Sequence, residues 1–196
     1  MKPVLLLDNY DSFTFNLAHL LEQLQCRHEV LRNDKVDLDR VGRDYSAVLL
    51  SPGPGIPLEA GLMPDLVRRY SSQLPILGIC LGHQCIGEIF GANLENMQVP
   101  MHGKTSKAAI DDPLDYLFDS IPQTIDVGRY HSWLVSRDNF PECLRITAAD
   151  EHGRIMALSH TQLDIKGLQF HPESVMTPDG PKIIHNWVKH VRGRYA

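Results

Sequence analysis

The chain of 196 residues contains little of what disulfide frameworks, metal clusters and membrane spans require. It has only four cysteines, and their spacing fits no metal-ligand pattern, which indicates reduced thiols and no metal site. No apolar run approaches the ~20 residues that cross a bilayer, and the apolar stretch near the N-terminus is too short for a signal peptide. We therefore expect a cytoplasmic protein that does not associate with membranes.

Positive charge is also scarce, and the rest of the composition is ordinary. The 19 Lys and Arg residues stand against 24 Asp and Glu, so the net charge is −5 and the sequence pI is about 6.0. Without a basic cluster, nucleic-acid binding is not expected. The chain is long enough for a buried core, and it shows neither an internal repeat nor a linker, so we predict one domain over residues 1–196.

The first half of the chain alternates short apolar runs with helix-compatible segments. The apolar runs lack polar alternation, which is typical of strands covered on both faces. They comprise residues 4–7, 47–50 and 76–79, and residues 29–31 are a further strand candidate. Apolar residues at helical spacing over 13–24, and the segment 64–70, predict intervening helices. This βαβ rhythm predicts a parallel sheet with helices on both faces.

The pattern changes after about residue 93. Candidate strands there follow one another with turns and little helix, which predicts a mixed or antiparallel extension of the same sheet. They comprise residues 124–127, 133–135, 144–147, 155–158 and 167–170. A helix from about 181 to 191 is expected to close the chain, with proline at a permitted position in its first turn.

The most informative segment surrounds a cysteine. In Gly78-Ile79-Cys80-Leu81-Gly82, glycines flank Cys80 two positions away on each side, where an apolar run ends and a helix-compatible stretch begins. This is the cysteine form of a nucleophile elbow, a tight strand-to-helix turn that exposes its nucleophile. The dipole of the following helix favours thiolate over thiol. The pattern predicts that Cys80 attacks a carbonyl carbon.

A cysteine nucleophile needs a base, and the base needs a group that orients it. His171 ends the strand predicted at 167–170, and Pro172 prevents its regular continuation. Glu173 follows two positions after the histidine, within reach of the imidazole once the chain turns. Cys80, His171 and Glu173 thus predict a triad of nucleophile, acid–base catalyst and orienting carboxylate.

A loop rich in proline and glycine follows the third predicted strand. Prolines stiffen Pro52-Gly53-Pro54-Gly55, and its glycines let the backbone approach a ligand. Loops at the carboxyl ends of parallel strands form the crevice where ligands bind. If this strand neighbours the nucleophile strand, the N–H groups of Gly53 and Leu81 can form an oxyanion hole.

Three motifs together resemble those of the class I (triad) glutamine amidotransferases. They are the loop at 51–55, the elbow at 78–84 and the segment Gln169-Phe170-His171-Pro172-Glu173-Ser174. The resemblance spans nearly the whole chain. It implies a flavodoxin-like α/β fold, an open, mostly parallel sheet with helices on both faces and an antiparallel extension. It also implies an enzyme that releases ammonia from the side-chain amide of glutamine.

The same resemblance implies a role for each matching residue. Cys80 is the nucleophile, His171 the acid and base, and Glu173 the orienting group. The remaining matches would bind glutamine or the oxyanion, and they are Gly53, Pro54, Gly55, Leu81, Gln84, Ser132 and Trp133. Trp133 stands where leucine is usual, which leaves a main-chain contact intact but alters the shape of the pocket there.

Residues 7–14, 102–106 and 129–132 narrow the resemblance to the small subunits of chorismate-aminating synthases. This implies that ammonia passes to a chorismate-binding large subunit, that of anthranilate synthase or of aminodeoxychorismate synthase. The large subunit is expected to need Mg²⁺, whereas this chain is expected to need no cofactor or metal. Whether the product is anthranilate, aminodeoxychorismate or both stays open.

Three other functions stay open from the sequence. The same chemistry could serve a different acceptor, as in purine or carbamoyl phosphate synthesis. The chain could be a non-catalytic subunit that keeps the fold, although an intact Cys80, His171 and Glu173 argue against this. The elbow could also belong to a cysteine peptidase.

Several residues near these motifs invite a functional interpretation. His83 follows the nucleophile closely, but on a helix it should point away from the sulfur. His102 and His131 are expected in loops that contact a partner or shape the site. The apolar stripe over 13–24 is expected to be core. Three polar residues after the first strand are expected to cap the next helix rather than hold a metal. They are Asp8, Asp11 and Ser12.

Overall fold

The computed structural model describes residues 2–195 and forms one sheet with flanking helices. Within these residues the strands are β1 (Val4–Asp8), β2 (His28–Arg32), β3 (Ala47–Leu50), β4 (Ile76–Ile79), β5 (Leu94–Ile110), β6 (Thr124–Val135), β7 (Leu144–Asp150), β8 (Ile155–His160) and β9 (Ile165–Leu168). The α-helices are α1 (Thr14–Gln23), α2 (Val41–Asp44), α3 (Met63–Tyr70), α4 (Leu81–Ile89) and α5 (Gly180–Gly193). No helix in this part of the chain is both long and apolar enough to cross a membrane.

One half of the sheet is parallel and has the strand order of a flavodoxin-like fold. Its strands lie in the order β2-β1-β3-β4-β9, so β9 takes the place of the fifth strand in the 2-1-3-4-5 order. The pairing of β9 with β4 is parallel, with Ile76 opposite Ile165 and Ile79 opposite Leu168. The fold class predicted from the sequence is confirmed.

The other half is the antiparallel extension, in the order β8-β7-β5-β6. Strand β5 is absent from the predicted elements, because Pro100 and Gly103 interrupt its sequence and most of its residues are exposed. It exists through pairing with β6, which is one strand where the sequence predicts two short ones. The β5–β6 register shifts between Asn96 and Met101, and this irregularity lies next to the candidate site described below.

Four of the parallel strands are covered on both faces, whereas β2 is a partly exposed edge strand. Every residue of β1, β3, β4 and β9 is buried. One hydrophobic cluster packs α1 and α5 against one face of the sheet, and a second packs α3 and α4 against the other. The segment that follows β4 therefore starts from a fully buried strand inside the sheet.

The start of α1 differs in detail from the prediction. The helix begins at Thr14, and neither Asp11 nor Ser12 is its N-cap. Instead, Asp8 Oδ1 accepts hydrogen bonds from the Asp11 N–H at 3.2 Å and the Thr14 hydroxyl at 2.8 Å. Its other oxygen lies 3.1 Å from Arg32 Nε. Within residues 2–195, no group of three or more His, Cys, Asp or Glu is placed to hold a metal ion.

Candidate active site

The turn from β4 into α4 forces Cys80 into a backbone conformation that side chains rarely adopt, with φ 51° and ψ −97°. A Cβ on Gly78 would lie 2.5 Å from the Gly82 carbonyl oxygen and 2.7 Å from the His83 nitrogen. A Cβ on Gly82 would lie 2.6 Å from Leu50 Cβ on the neighbouring β3. Only glycine fits at both flanking positions, and the turn has the geometry of a nucleophile elbow.

A helix N-terminus and a side-chain amide surround the Cys80 sulfur. The residue is 5% exposed and directly precedes α4. The Leu81 N–H belongs to the first turn, where helix N–H groups have no partner inside the helix. From the end of β9, Gln169 Nε2 donates toward Cys80 Sγ at 3.7 Å. Gln169 is part of the third motif, but nothing in the sequence signals this contact.

The pairing of β9 with β4 brings the predicted base to the nucleophile. His171 Nδ1 lies 2.6 Å from Glu173 Oε1, and the two side chains are 2% and 0% exposed. Burial opposes protonation of the imidazole, but the Cys80 and Glu173 side chains outweigh it and raise the pKa of His171 to about 10. The imidazole is therefore protonated at neutral pH, and its Nε2 has no hydrogen-bond partner among the described residues.

Two aromatic rings hold the His171 imidazole in place. Phe13 and Tyr130 meet it edge-on, with ring centroids at 5.1 Å and 4.9 Å. The two rings also contact each other, at 4.9 Å. The spacing of Phe13 places it in the predicted core stripe, but the residue lies just before α1 and outside the core cluster. Helical periodicity alone does not indicate that the Phe13 ring packs on His171.

A cavity of about 220 Å³ opens beside the sulfur. This is below the ~300–1,000 Å³ of pockets for drug-sized ligands and suits a ligand the size of one amino acid. The residues that line it come from the loop after β3, from the elbow and α4, and from β5 and β6. They are Gly53, Pro54, Gly55, Cys80, Gln84, His102, Tyr130, His131, Ser132 and Trp133. The structure thus brings the predicted binding residues together around the predicted nucleophile.

A larger cavity of about 690 Å³ lies elsewhere, between α5 and the segment 113–119. Its charged groups already have partners. The cavity residues Tyr116, His190 and Arg194 all bond to Asp164. The larger cavity contains none of the motif residues, so the smaller cavity is the candidate site.

The loop after β3 is clamped against the elbow. The Asn9 N–H donates to Ser51 Oγ at 2.9 Å, and Asn9 Nδ2 donates to the Ser51 carbonyl at 2.8 Å. A Cβ on Gly53 would lie 2.7 Å from both Asn9 Cβ and Leu81 Cδ2. Because β3 neighbours β4, Gly53 and Leu81 are adjacent, as an oxyanion hole built from their N–H groups requires.

Gln84 connects the elbow helix to the opposite wall of the cavity. Its Nε2 donates to the Trp133 carbonyl at 2.8 Å and to Gln169 Oε1 at 3.3 Å. Since these bonds use both amide hydrogens, a ligand reaches Gln84 through its Oε1 acceptor. The predicted contact with substrate is therefore compatible with the structure only as a bond that Gln84 accepts.

The three histidines near the motifs have different surroundings. His83 is fully buried against Gly167 rather than lining the cavity, and burial lowers its pKa to about 4. His102 and His131 line the cavity from β5 and β6. The prediction that they lie in loops is wrong, because the turn-like residues around them belong to an irregular strand pair. Burial, and next the Arg129 charge, lower the pKa of His131 to about 3.

A comparison with protein families agrees with this geometry. Residues 5–191 match the family model described as glutamine amidotransferase class-I. The chain belongs to this family. The match includes the loop after β3, the elbow and the segment with His171 and Glu173, so the resemblance drawn from these motifs is confirmed.

Two of the named relatives of this amidotransferase are synthase components. Anthranilate synthase component 2 of Pseudomonas aeruginosa is 38% identical, over 97% of this chain and 96% of the relative. Aminodeoxychorismate/anthranilate synthase component 2 of Bacillus subtilis is also 38% identical, over 96% of this chain and 97% of the relative. The bifunctional protein TrpGD of Thermotoga maritima is 41% identical over 96% of this chain, which spans only 32% of that protein.

A solved structure supports the fold of the amidotransferase. A putative GMP synthase subunit from Thermoplasma acidophilum superimposes with a TM-score of 0.88, covering 100% of this chain and 96% of that one. The identity of 24% limits this likeness to the fold.

Proposed function

We propose that this chain is the glutaminase subunit of a synthase that aminates chorismate. It hydrolyses L-glutamine through a thioester on Cys80 and passes the ammonia to a chorismate-binding large subunit that forms anthranilate. The observation that carries the proposal is the triad geometry. An elbow cysteine stands beside an imidazole that a buried carboxylate contacts at 2.6 Å, at the edge of an amino-acid-sized cavity.

In the first step the Cys80 thiolate attacks the side-chain amide carbon of glutamine. The oxygen of that amide becomes an oxyanion, which the N–H groups of Gly53 and Leu81 stabilise. The His171 imidazolium donates its proton to the leaving nitrogen, the C–N bond breaks, and ammonia departs. Glu173 holds Nδ1 and thereby keeps the opposite ring nitrogen directed at the reaction.

In the second step water hydrolyses the glutamyl thioester. Neutral His171 now removes a proton from the water as its oxygen attacks the thioester carbon. The C–S bond breaks, glutamate is released and the thiolate is regenerated with the imidazolium. Nucleophile, acid and base are all side chains of this chain, so these two steps require no cofactor.

Substrate recognition completes the proposal. The main chain at Ser132 and Trp133 binds the amino-acid end of glutamine, while Gln84 Oε1 and the backbone of 53–55 contact the rest. Each of these groups lines the same cavity as the sulfur. The Trp133 side chain makes this wall of the cavity bulkier than a leucine would. The main-chain groups that bind glutamine are the same with either residue.

The names of two relatives, which are components of anthranilate and aminodeoxychorismate synthases, support this partner. Ammonia is protonated in bulk water, so transfer needs a sheltered route to the acceptor. Glutaminase activity should therefore be low for the chain alone and higher with the large subunit. Equal activity in both states would contradict coupled transfer.

Substitution of the nucleophile tests the reaction. Cys80→Ser should abolish product formation from glutamine, while its complex with the large subunit, supplied with Mg²⁺, still makes product from added ammonia. Trapping of the wild-type chain by a glutamine-analogue epoxide or diazoketone should give a mass shift that Cys80→Ser lacks. Glutamine use that survives the substitution would remove Cys80 from its role.

A second candidate product is aminodeoxychorismate, and a small subunit that serves both synthases is the third possibility. The Bacillus subtilis relative carries both names. Assays with each large subunit, with glutamine as the nitrogen source, distinguish the three. Activity with only the aminodeoxychorismate-forming subunit would overturn the assignment to anthranilate.

A further inference from the structure

Behind the cavity wall, a buried ion pair leads toward the glutamine site. Arg129 lies on β6, and its Nη1 donates to Asp150 Oδ2 on β7 at 2.7 Å. The side chains of Arg129 and Asp150 are 0% and 1% exposed. Apolar residues of similar volume usually stabilise a core as well as a buried ion pair does. The pair is therefore better explained by what it orients than by stability.

Arg129 fixes the position of the proton on His131. Its Nε donates to His131 Nε2 at 3.1 Å. Arginine has no acceptor, so this nitrogen of the imidazole is unprotonated and Nδ1 carries the proton. Nδ1 lies 2.9 Å from the Trp133 carbonyl oxygen and donates to it. In the other tautomer, with the proton on Nε2, the lone pair of Nδ1 would face a lone pair of the Trp133 carbonyl oxygen.

The Trp133 carbonyl is thus held by two side chains. His131 donates from one side and Gln84 Nε2 from the other, at 2.8 Å. Strand pairing does not hold the preceding residue, because the β5–β6 register passes from Met101 opposite His131 to Asn96 opposite Trp133. Ser132 is left without a partner on β5. The side-chain donors to the Trp133 carbonyl therefore add to the strand pairing of Trp133 in orienting the main chain at Ser132.

We propose that Arg129 is a positioning residue for glutamine binding, which acts through His131 to hold the Trp133 carbonyl and so present the main chain of Ser132 to the substrate. The proposal rests on the function proposed above. Asp150 in turn fixes Arg129, since its other oxygen is held by the main-chain N–H groups of 152 and 154, at 3.0 Å and 2.8 Å.

The test measures glutamine affinity in a Cys80→Ser background, where the substrate is bound but not consumed. Isothermal titration calorimetry with L-glutamine gives Kd for this parent and for the parent that also carries Arg129→Met and Asp150→Asn. The double substitution removes both charges and keeps the acceptor for the turn at 152–154. Loss of one oriented hydrogen bond should weaken binding by about five- to tenfold.

A second ion pair in the same sheet supplies a matched control. Lys166 Nζ lies 2.6 Å from Asp115 Oδ2, and these side chains are 10% and 0% exposed, away from the cavity. Lys166→Met with Asp115→Asn should lower the thermal midpoint but leave the glutamine Kd within about twofold of the parent. Equal loss of affinity in both double variants would show general loosening and overturn the proposal.

A rescue experiment separates positioning from structure. Asparagine at 131 places an amide nitrogen near the position of His131 Nδ1, and it donates without help from Arg129. His131→Asn should therefore keep most of the affinity, and adding Arg129→Met with Asp150→Asn should cause no further loss. A further loss of about fivefold or more in this background would refute an action through His131.

Arg129→Lys covers the case in which the double variant does not fold. Lysine keeps a charge for Asp150 but lacks the second, fixed donor for His131, so a similar loss of affinity is expected. Unchanged affinity in this folded variant would overturn the proposal. If the Cys80→Ser parent itself failed to bind glutamine while the wild-type chain with its large subunit gave no glutamate, the proposed function would be wrong instead.

Discussion

Replacement of Gly78 by alanine is a direct test of the elbow. The added Cβ would lie 2.5 Å from the Gly82 carbonyl oxygen and 2.7 Å from the His83 nitrogen. Both are main-chain atoms, so no side chain can rotate out of the way. The start of α4 would have to move away from β4, but Gly82 already packs on Leu50 of β3. The helix is held between two strands, and the clash can be relieved only by shifting it.

The size of the effect follows from that shift. Relief of these contacts requires movement of about 1 Å, and a misplacement of this size costs up to ~10²-fold in rate. Overpacking in a rigid region also costs about 1–3 kcal/mol of unfolding free energy. For a domain of this length, each kcal/mol lowers the thermal midpoint by about 2–4 °C. We expect a midpoint about 2–12 °C lower and a large loss of Cys80 reactivity.

Two measurements check this prediction. Calorimetry gives the thermal midpoint, and the rate of labelling by a glutamine-analogue electrophile, followed by mass spectrometry, gives the reactivity of Cys80. Gly193→Ala is the control, because a Cβ there meets nothing within 4 Å, and it should leave the labelling rate unchanged. If Gly78→Ala kept both the midpoint and the labelling rate of wild type, the steric account of the elbow would be refuted.

Three further outcomes follow from charge and burial. Although burial lowers the pKa of His171, Cys80 and Glu173 raise it to about 10. Glutaminase activity should therefore fall as pH rises through that value. A pH–rate profile with an alkaline limb near neutrality would contradict this. Glu173→Gln removes charge that supports the imidazolium, so kcat should drop about 10²–10⁴-fold and the alkaline limb should move to lower pH in the same profile. Burial lowers the pKa of His83 to about 4, below its unfolded value, so unfolding free energy should fall as pH drops below about 6.5. Urea unfolding across that range should show a smaller loss for His83→Leu.

Features that are determined by residues close together in the chain were predictable from the sequence. Glycines two positions either side of Cys80 predict the elbow, because the clash they avoid involves atoms only a few residues away. Continuous apolar runs predict β1, β3 and β4, because both of their faces are covered. The contact between His171 and Glu173 was also predictable, since the two residues are two positions apart in a turn that follows a strand.

Features that depend on distant partners were not predictable. Strand β5 is mostly exposed, and its pairing with β6 rather than its own pattern makes it a strand. Phe13 fits a helical stripe, yet it packs on His171 because the carboxyl ends of β1 and β9 lie at the same edge. The bonds from Arg129 through His131 to Trp133 join residues two apart on one strand, a spacing common to every strand.

The position of β9 between β4 and β8 has a consequence for folding. Strands β5 to β8 are synthesised after the nucleophile and before its base, yet β9 must insert beside β4 to complete the site. Long-range pairings of this kind form late, after the loop-closure entropy of the intervening chain is overcome. An incomplete nascent chain therefore carries Cys80 without the His171 that the proposed reaction requires. Reactivity toward a glutamine analogue is thus a marker of a chain that has finished folding.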